Sequence, residues 1–398
     1  MEDDLHYFFI IKLLLRGIMS HKQMQRIAWI DVYKAICIIL MVIGHATGLF
    51  NHYIYQFHMA AFFFISGYTS KIWKKDLESV VIQKSKTLLL PWFTMLIAIG
   101  IVRAAKAIIL SEITFGQGLK NIVICVKDAL ILGNADYMLG AGWFLWALFF
   151  VFVIQRLIWR ATEKRHIAVY GIATVLVYVL GYFLQKHGYR QPHCFDMALI
   201  GQLFFGVGVI LSKCNVLERL RKQKWCYAVY VAAALLMFMM KWLGGKIEGG
   251  VAVDYPSRMY PNVWLTALAP IGGILLIFGL SELIGRINNA RVIWPFSKIG
   301  SSTLGVVFFH FIGFKIATLL LIPFKITSLQ DTQAFLLPAS AQAYAWGWFF
   351  YSVVSLLFCI VAWSVLMKIP YVNCLLGKTY KPNKATIQDE AKEENEKA

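Results

Sequence analysis

Long apolar runs recur along this 398-residue chain, separated by short charged segments. A run of roughly 20 apolar residues spans the hydrocarbon core of a bilayer as a helix. Ten such runs can be marked, near residues 28–50, 54–70, 88–109, 143–160, 166–185, 195–212, 226–243, 263–283, 302–324 and 344–368. In lipid every backbone N–H and C=O has to be bonded within its own segment, so spans of this kind are helices. The sequence therefore predicts an all-α, polytopic integral membrane protein with about ten transmembrane helices. With 59% hydrophobic and 15% charged residues it is too apolar for a soluble domain, because single soluble cores do not grow that large.

The net charge of +18 belongs to the membrane as well. Of the 39 lysines and arginines, 27 fall on the N-terminal side of the membrane and 11 on the other, with Lys34 inside the first span. Positive charge is retained on the cytoplasmic side, which places both termini in the cytoplasm. The same pattern accounts for the charge without nucleic acid as a partner. Residues 27–378 form one membrane unit between a leader, 1–26, and a charged tail, 379–398, expected to be disordered. The leader opens on acidic residues and lacks a small-residue cleavage site, so it reads as an interfacial helix rather than a signal peptide. Met19 is a second candidate start, since MSHKQMQRIAWID is already a short basic leader. The seven cysteines show no paired spacing, which points to small buried hydrophobes and to neither a metal site nor a disulfide framework.

Ionisable groups inside the spans mark the site. Each costs on the order of 2.5–3.5 kcal/mol at bilayer depth, so a functional role is the default expectation. Asp31, Lys34, His45 and His58 all lie in the first hairpin, whose elbow is expected at Asn51-His52-Tyr53. Lys34 and His45 stand about 16 Å apart on one helix face, close to three turns. His45 is a natural general base at neutral pH. Asp31, one turn before Lys34, either pairs with it or leaves it for a phosphate-bearing ligand. Ser66-Gly67 suggests a helix break with backbone N–H groups open to an anion. Lys71, Lys74, Lys75, Lys84 and Lys86 then form a basic mouth in the loop that follows. Trp143 opens the fourth span, Asp196 the sixth, and His310 lies within the ninth. The stretch NIVICVKDALIL in the 110–142 loop reads as a re-entrant or interfacial helix that roofs a cavity.

The run Trp29-Ile30-Asp31-x-x-Lys34, His45, Phe57-His58-Met59 and Phe64-Ile65-Ser66-Gly67-Tyr68 resembles the opening of the acyltransferase 3 family of integral membrane acyltransferases. Trp143-Phe144-Leu145, Phe204-Phe205-Gly206, Gly300-Ser301-Ser302 before His310, and Lys368-Ile369-Pro370 agree with it, in the branch related to fucose acetylases. The resemblance covers residues 26 to 378. It implies an O-acyltransferase moving acetyl from cytoplasmic acetyl-CoA to a hydroxyl of a cell-surface or lipid-linked carbohydrate, in a bacterial plasma membrane. His45 is then the catalytic histidine, with Asp31 and His58 assigned beside it. Lys34, Ser66, Gly67, Lys84 and Lys86 are assigned to the donor, and Trp143, Asp196 and His310 to the acceptor. Lys34, Lys84 and Lys86 stand where relatives carry arginine, which keeps the charge and loses the bidentate fork. A proton-coupled transporter would also place such groups in the membrane, although the chain shows none of the internal repeats many transporters have. A non-catalytic receptor would tolerate their loss. A homodimer, and acetyl against succinyl as the acyl group, stay open.

Overall fold

The computed structural model describes residues 21–46, 50–131, 137–188, 192–244, 246, 253–287, 289–334 and 338–378. Most of the leader, the choice between Met1 and Met19, and the tail 379–398 lie outside the described residues. The helices used below are α1 (His21–Ala46), α2 (Asn51–Ser70), α3 (Leu77–Lys84), α4 (Leu90–Ile109), α5 (Phe115–Ile131), α6 (Trp143–Thr162), α7 (Ile167–Lys186), α8 (Phe195–Lys213), α9 (Cys226–Gly244), α10 (Val263–Arg286), α11 (Ala290–Ser301), α12 (Thr303–Leu321) and α13 (Gly347–Leu366). Among the described residues the β contact is a single bridge, Asp254 to Met259. The all-α, polytopic expectation holds.

Among the described residues nine helices are long and apolar enough to cross a membrane: α1, the continuous α3–α4 rod, α6, α7, α8, α9, α10, α12 and α13. Their outer faces carry exposed Ile101, Ile172, Leu176, Leu235 and Leu357, the side chains a lipid environment accepts and water would not. The expected second span, α2, has the length but not the apolarity, because Gln56, His58, Ser66 and Thr69 interrupt it. It is shielded instead of lipid-exposed, with 13 of its 20 residues buried. A helix that carries polar groups in a bilayer has to face other helices.

α1 and α2 form the centre. α1 packs against α2, α10, α11 and α13, with Trp29, Tyr33, Cys37 and Ile38 fully enclosed. α2 lies on α8 so closely that a Cβ at Gly67 would overlap the Phe205 carbonyl, and one at Gly208 would sit 2.7 Å from the Tyr68 nitrogen. Glycines at both positions permit that backbone contact.

Four expectations are corrected. Asn51, His52 and Tyr53 form the first turn of α2, so they are not the elbow; residues 47–49 lie outside the described set. The basic loop before the third span is helical from Leu77, capped by the Asp76 carboxylate on the Ser79 N–H. Residues 121–131 of NIVICVKDALIL are helical, but α5 packs along α4 and contributes nothing to the cavity described next. Residues 290–301, read as a loop, form α11 against α1.

Candidate functional site

A cavity of about 610 Å³ runs between α1, α2, α6 and α12, within the usual size of a small-molecule site. From α1 it receives Lys34, Ile38, Met41 and His45, in steps of three and four residues. These fall on one helix face. α2 presents Tyr55, His58, Met59, Phe62, Ile65 and Ser66. Between α3 and α4 the chain widens into a π-helical turn, Ser85–Leu89, just ahead of Pro91. Proline has no N–H and its ring crowds the preceding turn, so a wider turn there relieves the clash. The bulge turns Thr87 and Leu88 into the cavity.

Three histidines lie around one end. His45 and His58 line the cavity. His310 is fully buried and stacks on His45, with ring centroids 5.3 Å apart at 27°. His58 Nδ1 lies 2.9 Å from the Ile54 carbonyl and His310 Nδ1 lies 2.8 Å from the Val306 carbonyl. A carbonyl only accepts, so both rings carry their proton on Nδ1 and keep a lone pair on Nε2. For His58 that lone pair belongs to a cavity-lining ring. His310 Nε2 is buried without a partner among the described residues. Lys34 lines the cavity three turns along α1 from His45.

The roof comes from a loop between α9 and α10. Val253 N–H donates to the Tyr55 carbonyl at 3.0 Å, which ties the loop to α2. Asp254, Tyr255, Pro256 and Ser257 then close the cavity, and the Ser257 hydroxyl donates to Asp254 Oδ2 at 2.6 Å. Tyr255 lies parallel to Trp143, centroids 5.8 Å apart at 17°. Burial pushes its phenol well above the ordinary value of 10.0, so it stays neutral, and its hydroxyl has no partner among the described residues. Next in the chain, Arg258 adopts a left-handed backbone, φ 56°. Its Nε donates to Asp196 Oδ2 at 2.5 Å and its Nη2 to Oδ1 at 3.3 Å.

Thus the structure brings Lys34, His45, His58, Ser66 and Trp143 to one cavity. Other assigned residues sit elsewhere. Asp31 is outside the lining, its backbone carbonyl packed where Gly300 leaves room on α11. Gly67 lies inside an unbroken α2, its role being the contact with α8. Lys84 rests over the Phe152 ring at 3.7 Å, and Lys86 is exposed on the bulge. Asp196 is buried beneath the roof and holds Arg258. His310 backs His45 without lining the cavity. Tyr55, Thr87, Asp254, Tyr255, Ser257 and Thr303 line it without having been expected. For Asp254 and Tyr255 the sequence signal is an Asp-Tyr-Pro-Ser run, a turn composition that says nothing of a roof.

The arrangement defines a polytopic membrane protein with a chamber inside the bundle, cationic toward one end and histidine-bearing toward the other. A family model described as an acyltransferase domain matches residues 27–364. The chain belongs to that family, acyltransferase 3, and is a membrane acyltransferase. No curated protein and no solved structure matches it.

Proposed function

We propose that this protein is an O-acyltransferase that moves an acetyl group from cytoplasmic acetyl-CoA to a hydroxyl of a cell-surface or lipid-linked carbohydrate, in the plasma membrane of a bacterium. One observation supports it above the rest: Lys34 and the two histidines His45 and His58 line a single cavity in a chain of this family. A donor held at the Lys34 end directs its thioester toward the histidines. His45 takes the proton from the acceptor hydroxyl as that oxygen attacks the thioester carbonyl. The C–S bond breaks, and the thiolate takes the proton back from His45 and leaves as the free thiol. His58, with its lone pair on Nε2, accepts a hydrogen bond from a sugar hydroxyl and orients the acceptor. The parallel faces of Trp143 and Tyr255, with the Asp254 carboxylate beside them, suit a sugar ring, which has an apolar C–H face and a rim of hydroxyls.

Transfer of radiolabel from acetyl-CoA to envelope carbohydrate, in membranes carrying the wild type or His45→Ala, tests the reading. Label with the wild type alone supports it. Label of equal size with His45→Ala, at equal protein level, refutes the role of His45, and no label from either protein refutes the choice of acetyl donor.

A further inference from the structure

The lower end of α6 holds a cation that nothing above employs. Leu145, Leu148, Phe152 and Arg156 follow one another along α6 in steps of three and four residues, on one face. The first two line the cavity. Eight residues at about 1.5 Å each put Arg156 about 12 Å beyond Leu148, toward the side read as cytoplasmic. Its Nε and Nη1 are buried and find no hydrogen-bond partner among the described residues. A guanidinium keeps its charge at every relevant pH. Buried donors of that strength are costly unless an acceptor meets them.

The acid that feels its charge does not fill the need. Asp76 feels the Arg156 charge, but it is exposed and caps α3 by accepting from the Ser79 N–H at 3.3 Å. It makes no bond to Nε or Nη1. Other cations gather nearby instead. Lys84 Nζ sits 3.7 Å over Phe152, one turn from Arg156. Lys84 is in turn within electrostatic reach of Lys75 and of Lys34, which lines the cavity. A row of like charges leading from a half-buried arginine into a cavity is stable with a multivalent anion between them. The planar fork of arginine matches phosphate, with two parallel N–H···O bonds.

We propose that Arg156, with Lys84, forms a phosphate-binding subsite at the cytoplasmic mouth of the cavity. Assigning the phosphate to the acyl donor rests on the acyl-transfer reading above; an anionic lipid headgroup offers the same chemistry from a second source. The test uses the purified full-length chain in an uncharged detergent, with Arg156→Gln and Arg156→Lys beside the wild type. Its probes are coenzyme A, phosphate-free pantetheine, phosphatidylglycerol and phosphatidylcholine. The wild type binds coenzyme A more tightly than pantetheine. Arg156→Gln loses that preference by about tenfold or more, and Arg156→Lys regains part of it. Without ligand the Gln variant unfolds at a temperature no lower than the wild type, because a charge whose Nε and Nη1 are buried without an acceptor has been removed. An arginine with a purely structural role would show the opposite. If coenzyme A does not bind but phosphatidylglycerol is preferred over phosphatidylcholine through Arg156, the phosphate subsite stands and its donor assignment falls. The proposal is overturned if the wild type distinguishes neither pair of probes, or if Arg156→Gln keeps both preferences.

Discussion

Asp196→Ala is a sharp test of how the roof is held. The carboxylate is 2% exposed and its partner Arg258 18%, and a third donor, Gln185 Nε2, lies 3.3 Å from Oδ2. Removing one member of a buried, two-bond ion pair costs about 3–5 kcal/mol, because the survivor stays buried and uncompensated. Asp196→Ala should therefore destabilise by about 3 kcal/mol, and Arg258→Ala by at least as much, since it strands the more deeply buried charge. In the double variant no charge is stranded. Its loss should fall short of the sum of the single losses by at least about 1.5 kcal/mol. Arg258→Gly adds a second check: φ 56° favours glycine, so it should be about 1 kcal/mol less damaging than Arg258→Ala. The assay is unfolding in detergent for all four variants, with transfer kinetics on those that stay folded. Because Arg258 directly follows the Asp254–Ser257 roof, the acceptor KM should rise while the donor KM holds. Additive losses in the double variant, or a donor KM that moves more than the acceptor KM, would refute the account of Asp196 as the anchor of the roof.

Three further outcomes follow from the same geometry. Tyr255→Phe removes a buried hydroxyl without a partner, so the melting temperature should stay level or rise while the acceptor KM increases; a drop in stability would mean the hydroxyl is bonded within the protein. Gly67→Ala drives a methyl into the Phe205 backbone and should cost at least about 1–3 kcal/mol, the usual penalty of overpacking, whereas Ser66→Ala, one residue earlier and facing the cavity, should leave the unfolding midpoint in place. His310→Phe keeps the ring stacked on His45 and should retain kcat within about threefold, while His310→Ala, which leaves a hole behind His45, should lower it by about tenfold or more. A dead Phe variant of normal stability would show that the free Nε2 has a role of its own.

What was legible in the sequence and what was not divide along physical lines. The spans were legible because a bilayer imposes one length and one chemistry on every crossing segment, and α6, α7, α8 and α9 lie within two residues of their expected bounds. The π-turn at Ser85–Leu89 was hidden because a lysine-rich stretch reads the same as loop or as helix. The roof was hidden because its decisive bond joins residues 62 apart, and nothing in a local pattern records such a pairing.

The site itself was half visible for a reason that also explains its position. A helix with Gln56, His58 and Ser66 along it cannot face lipid, so the fold has to close other helices around it. The deficit in apolarity that drops α2 below the threshold of a free-standing span is the same property that puts it at the centre, beside Lys34 and His45. Asp31 and Asp196 show the limit of that inference, since an ionisable group within the bundle can lie outside the cavity lining or end in an ion pair as well as in the cavity. Polarity selects which helices are central; only the directions of their side chains decide which polar groups meet a substrate.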